Sequence, residues 1–276
     1  MLTQTRHHSV LDHPWRIAAL VTIVANVVFN YATMLSGAHS WQVDAVSASY
    51  PSLFTPAGYA FSIWGLIYGA SLVYAVMALL PNQLEVRMHD RVAPWLLLTN
   101  ALGMLWLLLF TGEWLGPSVL IILAMLTSSL LAYSIATDHL KTEGLSRWWR
   151  APFALWLGWL AVASLANLNV GLIAAAGQDS FFASPIWSCT LLIAAAAAAF
   201  LIEFLYDDPT VALVVGWAAV AIAVASWDES SLVGVVALLV AIRALLWAAV
   251  SFLFRLYPIP EHYKRAAARS TALATP

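Results

Sequence analysis

Apolar residues run through this chain in blocks too long for the core of a soluble domain, and polar residues are confined to the gaps between the blocks. A first run from Trp15 to Met34 is followed by others at roughly 56–80, 93–111, 116–137, 151–175, 185–206, 210–227 and 231–256. Each is close to the roughly 20 apolar residues that, as a helix, cross a hydrocarbon core of about 30 Å. The pattern predicts an all-α, polytopic membrane helix bundle of about eight transmembrane helices. The connecting segments, among them PNQLEVRMHDR, TGEWLGP, DHLKTEGLSRWWRA, GQDSFFASP, YDDP and WDES, leave no room for a second soluble domain. The first run is either a signal peptide or a span. Its long polar lead-in over residues 1–14, with His7, His8 and His13, and the amides Asn26 and Asn30 inside it, favour the span.

One stretch is richer in information than the others. In Tyr50 to Tyr74, YPSLFTPAGYAFSIWGLIYGASLVY, a polar approach leads through a Pro-Ala-Gly turn into an apolar helix. Proline suits a first helical turn, because its missing N–H has no partner there in any case, so the helix is expected to begin at Pro56. Phe61, Trp64 and Tyr68 follow at helical spacing and give that helix one aromatic face.

Composition agrees with the pattern. Of 276 residues, 62% are hydrophobic and 9% charged, against about 25% charged in soluble domains. The net charge of −2 comes without any basic stripe, which sets nucleic acid aside as a partner. The single cysteine, Cys189, rules out an intramolecular disulfide and any Cys-based metal cluster. Charge placement then orients the chain. With the N-terminus inside, the inner segments hold Arg6, Arg16, Arg87, Arg91, Lys141, Arg147, Arg150, Arg255, Lys264, Arg265 and Arg269, and the outer loops hold no Lys or Arg. Both termini are therefore expected in the cytoplasm, with the protein in a bacterial inner membrane.

Candidate chemistry is sparse. Arg243 lies mid-way along the last span, where a bare charge costs about 2.5–3.5 kcal/mol, and it requires a partner such as Glu203, backbone carbonyls or a polar cavity. Asn26 and Asn30 share a helix face, and Asn100, Ser164, Asn167 and Asn169 sit in the third and fifth spans. Such groups commonly bond across helices. Counted from the loops, however, Asn30, Trp64, Trp106, Ser164 and Asn167 share the outer half of the bilayer. Of the 14 tryptophans, Trp15, Trp41, Trp95, Trp114, Trp148, Trp149, Trp187 and Trp227 stand at span ends as an interfacial belt. Trp64, Trp106, Trp156, Trp159, Trp217 and Trp247 are deeper and call for a place in the bundle interior. No histidine falls within a predicted span, no nucleophile–base set or metal site is apparent, and Asp207/Asp208 and Asp228/Glu229 are expected as solvated turns. The alanine run 194–199 is expected to bring its helix close to a neighbour.

Three segments resemble the TspO/MBR family, the tryptophan-rich sensory proteins related to the translocator protein. The family's Pro-Pro turn and aromatic second helix resemble TPAGYAFSIWGLIY, with Thr55 in place of the first proline. Its third helix, from Leu-Asn to a Trp and a Phe-Phe-Gly end, resembles TNALGMLWLLLFTG, and its fifth resembles PFALWLGWLAVASLANLN, with Ser164 where Asn is frequent. The likeness covers residues 15–175. It implies a cytoplasmic segment (1–14), a five-helix TspO-like core (15–178), a three-helix extension (179–257) and a cytoplasmic tail (258–276). It also implies a pocket closed by the loop 37–55 and lined by Asn30, Phe61, Trp64, Tyr68, Asn100, Trp106, Ser164 and Asn167, taking a porphyrin or another flat hydrophobic ligand. The expected function is a non-enzymatic membrane sensor or carrier. The alternatives are a structural or assembly subunit of a larger membrane complex and a porphyrin-degrading enzyme. Membrane lipid, the hydrophobic ligand and a homodimer or complex partner are the expected associates.

Overall fold

Proline and capping side chains set where the helices begin. Pro14, Pro152, Pro185 and Pro209 stand in first turns, and the side chains of Ser184 and Asp208 accept from Trp187 N and Thr210 N at the starts of two helices. The structure, a computed structural model, describes residues 9–35 and 43–256, so the expectations for residues 1–8, for Trp41 with the rest of 36–42 and for the tail from 257 lie outside the described residues. The elements are α1 (Pro14–Leu35), the short α2 (Val43–Ser49), α3 (Ile63–Met77) behind a 3-10 turn (Gly58–Ser62), α4 (Arg87–Thr111), α5 (Leu115–Thr142), α6 (Ala151–Ala176), α7 (Pro185–Tyr206), α8 (Pro209–Ser226) and α9 (Ser231–Leu256). Among the described residues eight helices, all but α2 and with α3 counted together with its 3-10 turn, are long and apolar enough to cross a membrane.

Five of these close into a ring: α1 packs on α3 and α4, α4 on α5, α5 on α6, and α6 back on α3. α8 lies against α6, with α9 on its far side and α7 touching all three. The α6–α8 approach depends on Gly158, where a Cβ would stand 2.8 Å from Val214 Cβ. α7 buries Leu191, Leu192, Ala195 and Ala199 and leaves Ala194, Ala197 and Ala198 exposed, so the alanine run presents one face to its neighbours and the other outward.

Two helix starts differ from expectation. Pro56 does not begin α3. The next residue, Ala57, is extended (φ −55, ψ 146) and its N–H donates to Ala221 O of α8 at 3.1 Å, so the chain first crosses α8 and only then winds up. α4, conversely, begins at Arg87, and its buried first turns include His89, contrary to the expectation that no span holds a histidine. His89 and Asp90 did not stop this helix because each found a partner. His89 Nδ1 meets Tyr74 Oη at 2.9 Å and its ring packs edge-on to Trp149, while Asp90 pairs with Arg16 and His13.

Helices joined by short loops alternate in direction, so Arg16, Arg87, Arg91, Lys141, Arg147 and Arg150 share one end of the bundle. At that end Asp208 is not solvated. It is 4% exposed, pairs with Arg150 at 2.8 Å and accepts from Tyr133 Oη at 3.0 Å. Asp207 behaves as expected, exposed and bonded to Arg147 at 3.0 Å, as do Asp228 and Glu229, exposed in the turn before α9. Farther into the bundle, the partner Arg243 requires is Glu203, one turn from the end of α7.

Candidate functional site

Aromatic side chains line the space between the start of α3 and the end of α1. Between them lies a cavity of about 580 Å³ walled by Asn30 of α1, Phe61 of the 3-10 turn, Trp64 and Tyr68 of α3 and Trp106 of α4. Phe61, Trp64 and Trp106 also border an adjoining space of about 40 Å³, closed by Trp159 and Asn167 of α6. Both lie toward the end of the bundle opposite the basic residues.

The walls are fixed by ring contacts and hydrogen bonds. Trp64 stacks on Tyr68 with centroids 5.5 Å apart, and Trp156 meets it edge-on at 5.5 Å. Trp156 is held in turn by its indole N–H, which donates to Ser71 Oγ at 2.9 Å. Phe61 stands edge-on to Trp159. Trp106 stacks on Phe110 and donates to Asn167 Oδ1 at 2.7 Å, while Asn167 Nδ2 donates to Ser118 Oγ at 2.9 Å. Rings locked in this way present a preformed surface and lose little freedom when another flat molecule lies against them.

The eight residues named from the sequence are thus distributed over four places. Asn30, Phe61, Trp64, Tyr68 and Trp106 share the large cavity, and Asn167 borders the small one. Asn100 is fully buried behind the cavity, bonded to Asn26. Ser164 faces elsewhere, into a groove of about 210 Å³ between α5, α6 and α7. Residues that the sequence did not single out for this site are Tyr59 and Ser62 in the turn and Tyr31 on α1. Tyr59 adjoins the aromatic face in sequence, and that proximity was the available signal. Trp217, expected in the interior, lies at the surface of α8. It packs edge-on to Tyr59 and donates to Ala60 O at 3.1 Å, so it braces the turn from outside.

The described part of the loop above the cavity is tied at two points. Tyr50 Oη donates to Glu113 Oε2 at 2.9 Å, a bond that raises the Tyr50 phenol above its ordinary pKa. Glu113 adopts φ 59 at the α4–α5 turn, a left-handed conformation uncommon for such a side chain. Asn169 Nδ2 donates to Ser52 Oγ at 2.6 Å while Asn169 Oδ1 accepts from Trp187 Nε1 at 2.9 Å, which links the loop to α6 and α7.

Neither a curated protein nor a solved structure matches this chain. A family does: TSPO-like protein, over residues 16–250. The match starts in the first turn of α1 and ends within α9, so it takes in α7 and α8 as well as the five-helix ring. Because it spans most of the chain and encloses the whole aromatic cavity, this integral membrane protein belongs to the TSPO-like family.

Proposed function

We propose that this protein is a membrane sensor or carrier that binds a tetrapyrrole, or a molecule similarly flat and hydrophobic, between α1 and α3, with its basic end and both termini in the cytoplasm of a bacterium. The observation that carries the reading is the 580 Å³ cavity with its wall of Phe61, Trp64, Tyr68 and Trp106. Its size falls within the range of about 300–1,000 Å³ usual for small-molecule sites, and aromatic walls with few polar groups suit an extended π-system. The tied loop over residues 43–55 supplies a cover. Binding without turnover is the expected chemistry.

Protoporphyrin IX titrated into the full chain in nanodiscs, followed by its absorbance, tests the reading. The Trp64→Leu form is expected to bind about tenfold more weakly, the loss of one stacking wall. Ser164→Leu, in the separate groove, is expected to bind as the parent does. Equal affinity in the parent and Trp64→Leu, or no binding by the folded parent, would move the assignment to an assembly subunit, and conversion to a new product would move it to an enzyme.

Orientation is tested separately by cysteine labelling in a Cys189→Ser background. Gln178→Cys is expected to react with an impermeant maleimide from outside the cell, and Lys141→Cys only after the membrane is opened. The opposite pattern would invert the assigned topology.

A further inference from the structure

Three asparagines stand in line behind the cavity, and each sets the direction of the next. Asn100 Nδ2 donates to Leu96 O at 2.8 Å. A carbonyl only accepts, so the nitrogen of Asn100 is fixed at that end and its Oδ1 points to α1, where it accepts from Asn26 Nδ2 at 3.0 Å. Asn26 Oδ1 then accepts from Asn30 Nδ2 at 2.8 Å, and the same nitrogen donates to Asn26 O at 2.9 Å. Both protons of the Asn30 amide are used. Turning Asn26 over would set two carbonyl oxygens against each other at Asn100. Gly103 leaves room for this arrangement, since a Cβ there would lie 3.2 Å from Asn26 Nδ2.

What remains is Asn30 Oδ1, an acceptor to which no described residue donates, on a side chain that lines the cavity. The other amides have nothing to offer a ligand in the same way. Asn100 is fully buried, and Asn167 spends its oxygen on Trp106 and its nitrogen on Ser118. Hydroxyl-bearing residues at the cavity such as Tyr31, Tyr59 and Ser62 can rotate that group and take either role. Asn30 cannot.

We propose that Asn30 is a one-way acceptor that selects, among flat apolar molecules, those carrying an N–H or O–H donor on the rim, with Asn26 and Asn100 as positioning residues. This inference rests on the reading of the cavity as the binding site. Its physical basis is asymmetry: a rim donor replaces a bond it had in water, whereas a rim acceptor facing Asn30 Oδ1 leaves two lone pairs opposed beside largely apolar walls. Sites that demand one hydrogen-bonding partner discriminate more sharply than sites that recognise shape alone.

Carbazole and dibenzofuran have the same tricyclic outline and differ in a ring N–H against a ring oxygen. Their binding to the full chain in nanodiscs, corrected for empty nanodiscs, is the test. The parent is expected to favour carbazole by about tenfold. Asn30→Leu is expected to bring the two within about twofold of each other, by weakening carbazole and relieving the opposed oxygens that dibenzofuran meets in the parent. Asn100→Leu, which frees Asn26 to turn, is expected to lower the same ratio without loss of dibenzofuran binding, a change that mere loosening of the fold would not give. Trp64→Leu is expected to weaken both compounds alike. Equal binding of the two compounds to the parent overturns the role of Asn30 and leaves the cavity standing. Failure of both compounds and of protoporphyrin IX to bind the folded parent overturns the cavity reading itself, and the Asn30 proposal with it.

Discussion

Arg16→Leu is expected to destabilise the folded protein by about 3 kcal/mol or more, because four main-chain carbonyls lose their charged donor at roughly 1 kcal/mol each. Arg16 is 2% exposed at the first turn of α1. Its Nε and Nη2 each meet one oxygen of Asp90 at 2.7 Å. Nη1 reaches Ala78 O at 2.8 Å and Gln83 O at 2.9 Å, and Nη2 reaches Leu84 O at 3.1 Å and Val86 O at 3.0 Å. One guanidinium thus terminates α3, shapes the connection that follows it and starts α4. Asp90 is open enough on one side to recover water, so most of the loss comes from the carbonyls. Arg16→Lys is not expected to rescue, because an ammonium has three donors and no planar fork. Thermal denaturation in detergent, read as the fraction remaining monodisperse, measures the effect. A Leu form as heat-resistant as the parent would show that the connection holds itself.

The pair of Glu203 and Arg243 is expected to behave as a unit. The Glu203 side chain is fully buried and its Oε1 has no hydrogen-bond partner among the described residues, while Arg243 is one-third exposed and lies over the Phe200 ring, 5.2 Å from its centroid. Arg243→Leu leaves the carboxylate alone and is expected to cost about 3–5 kcal/mol. Glu203→Leu is expected to cost less, since a long partly exposed side chain can carry its charge toward the membrane surface. The double Leu variant is expected within about 1 kcal/mol of the parent, because it removes both desolvated charges together. Thermal midpoints of the four proteins give the coupling. Additive single effects would mean that the two side chains act independently.

What the sequence disclosed and what it withheld divide along a physical line. Span number and the aromatic face of α3 were legible, because both depend on long apolar runs and local spacing, which a single chain displays. The start of α4 was not, because His89 and Asp90 look like a loop until Tyr74, Arg16 and His13, distant in sequence, neutralise them. Asp207 and Asp208 are the same residue type at adjacent positions, and only the tertiary position of Arg150 decides which one is buried. The candidate site was legible in part for the same reason. Depth could be counted from the loops and grouped Asn30, Trp64 and Trp106 with Ser164. Helix rotation could not be counted, and it turned Ser164 into another groove.

The bonds that cross from the early helices to the late ones bear on how this protein can be taken apart. Ala57 N–H on Ala221 O and Trp217 Nε1 on Ala60 O join the segment before α3 to α8, and Trp187 Nε1 on Asn169 Oδ1 joins the residue that holds Ser52 to α7. A shortened chain ending near residue 178 would keep the five-helix ring and every cavity-lining side chain. It would lose the external brace on the turn before α3 and the Trp187 bond that orients Asn169, the residue holding Ser52 of the loop above. For dissection, grafting or minimisation of this protein, the smallest useful piece extends through α8.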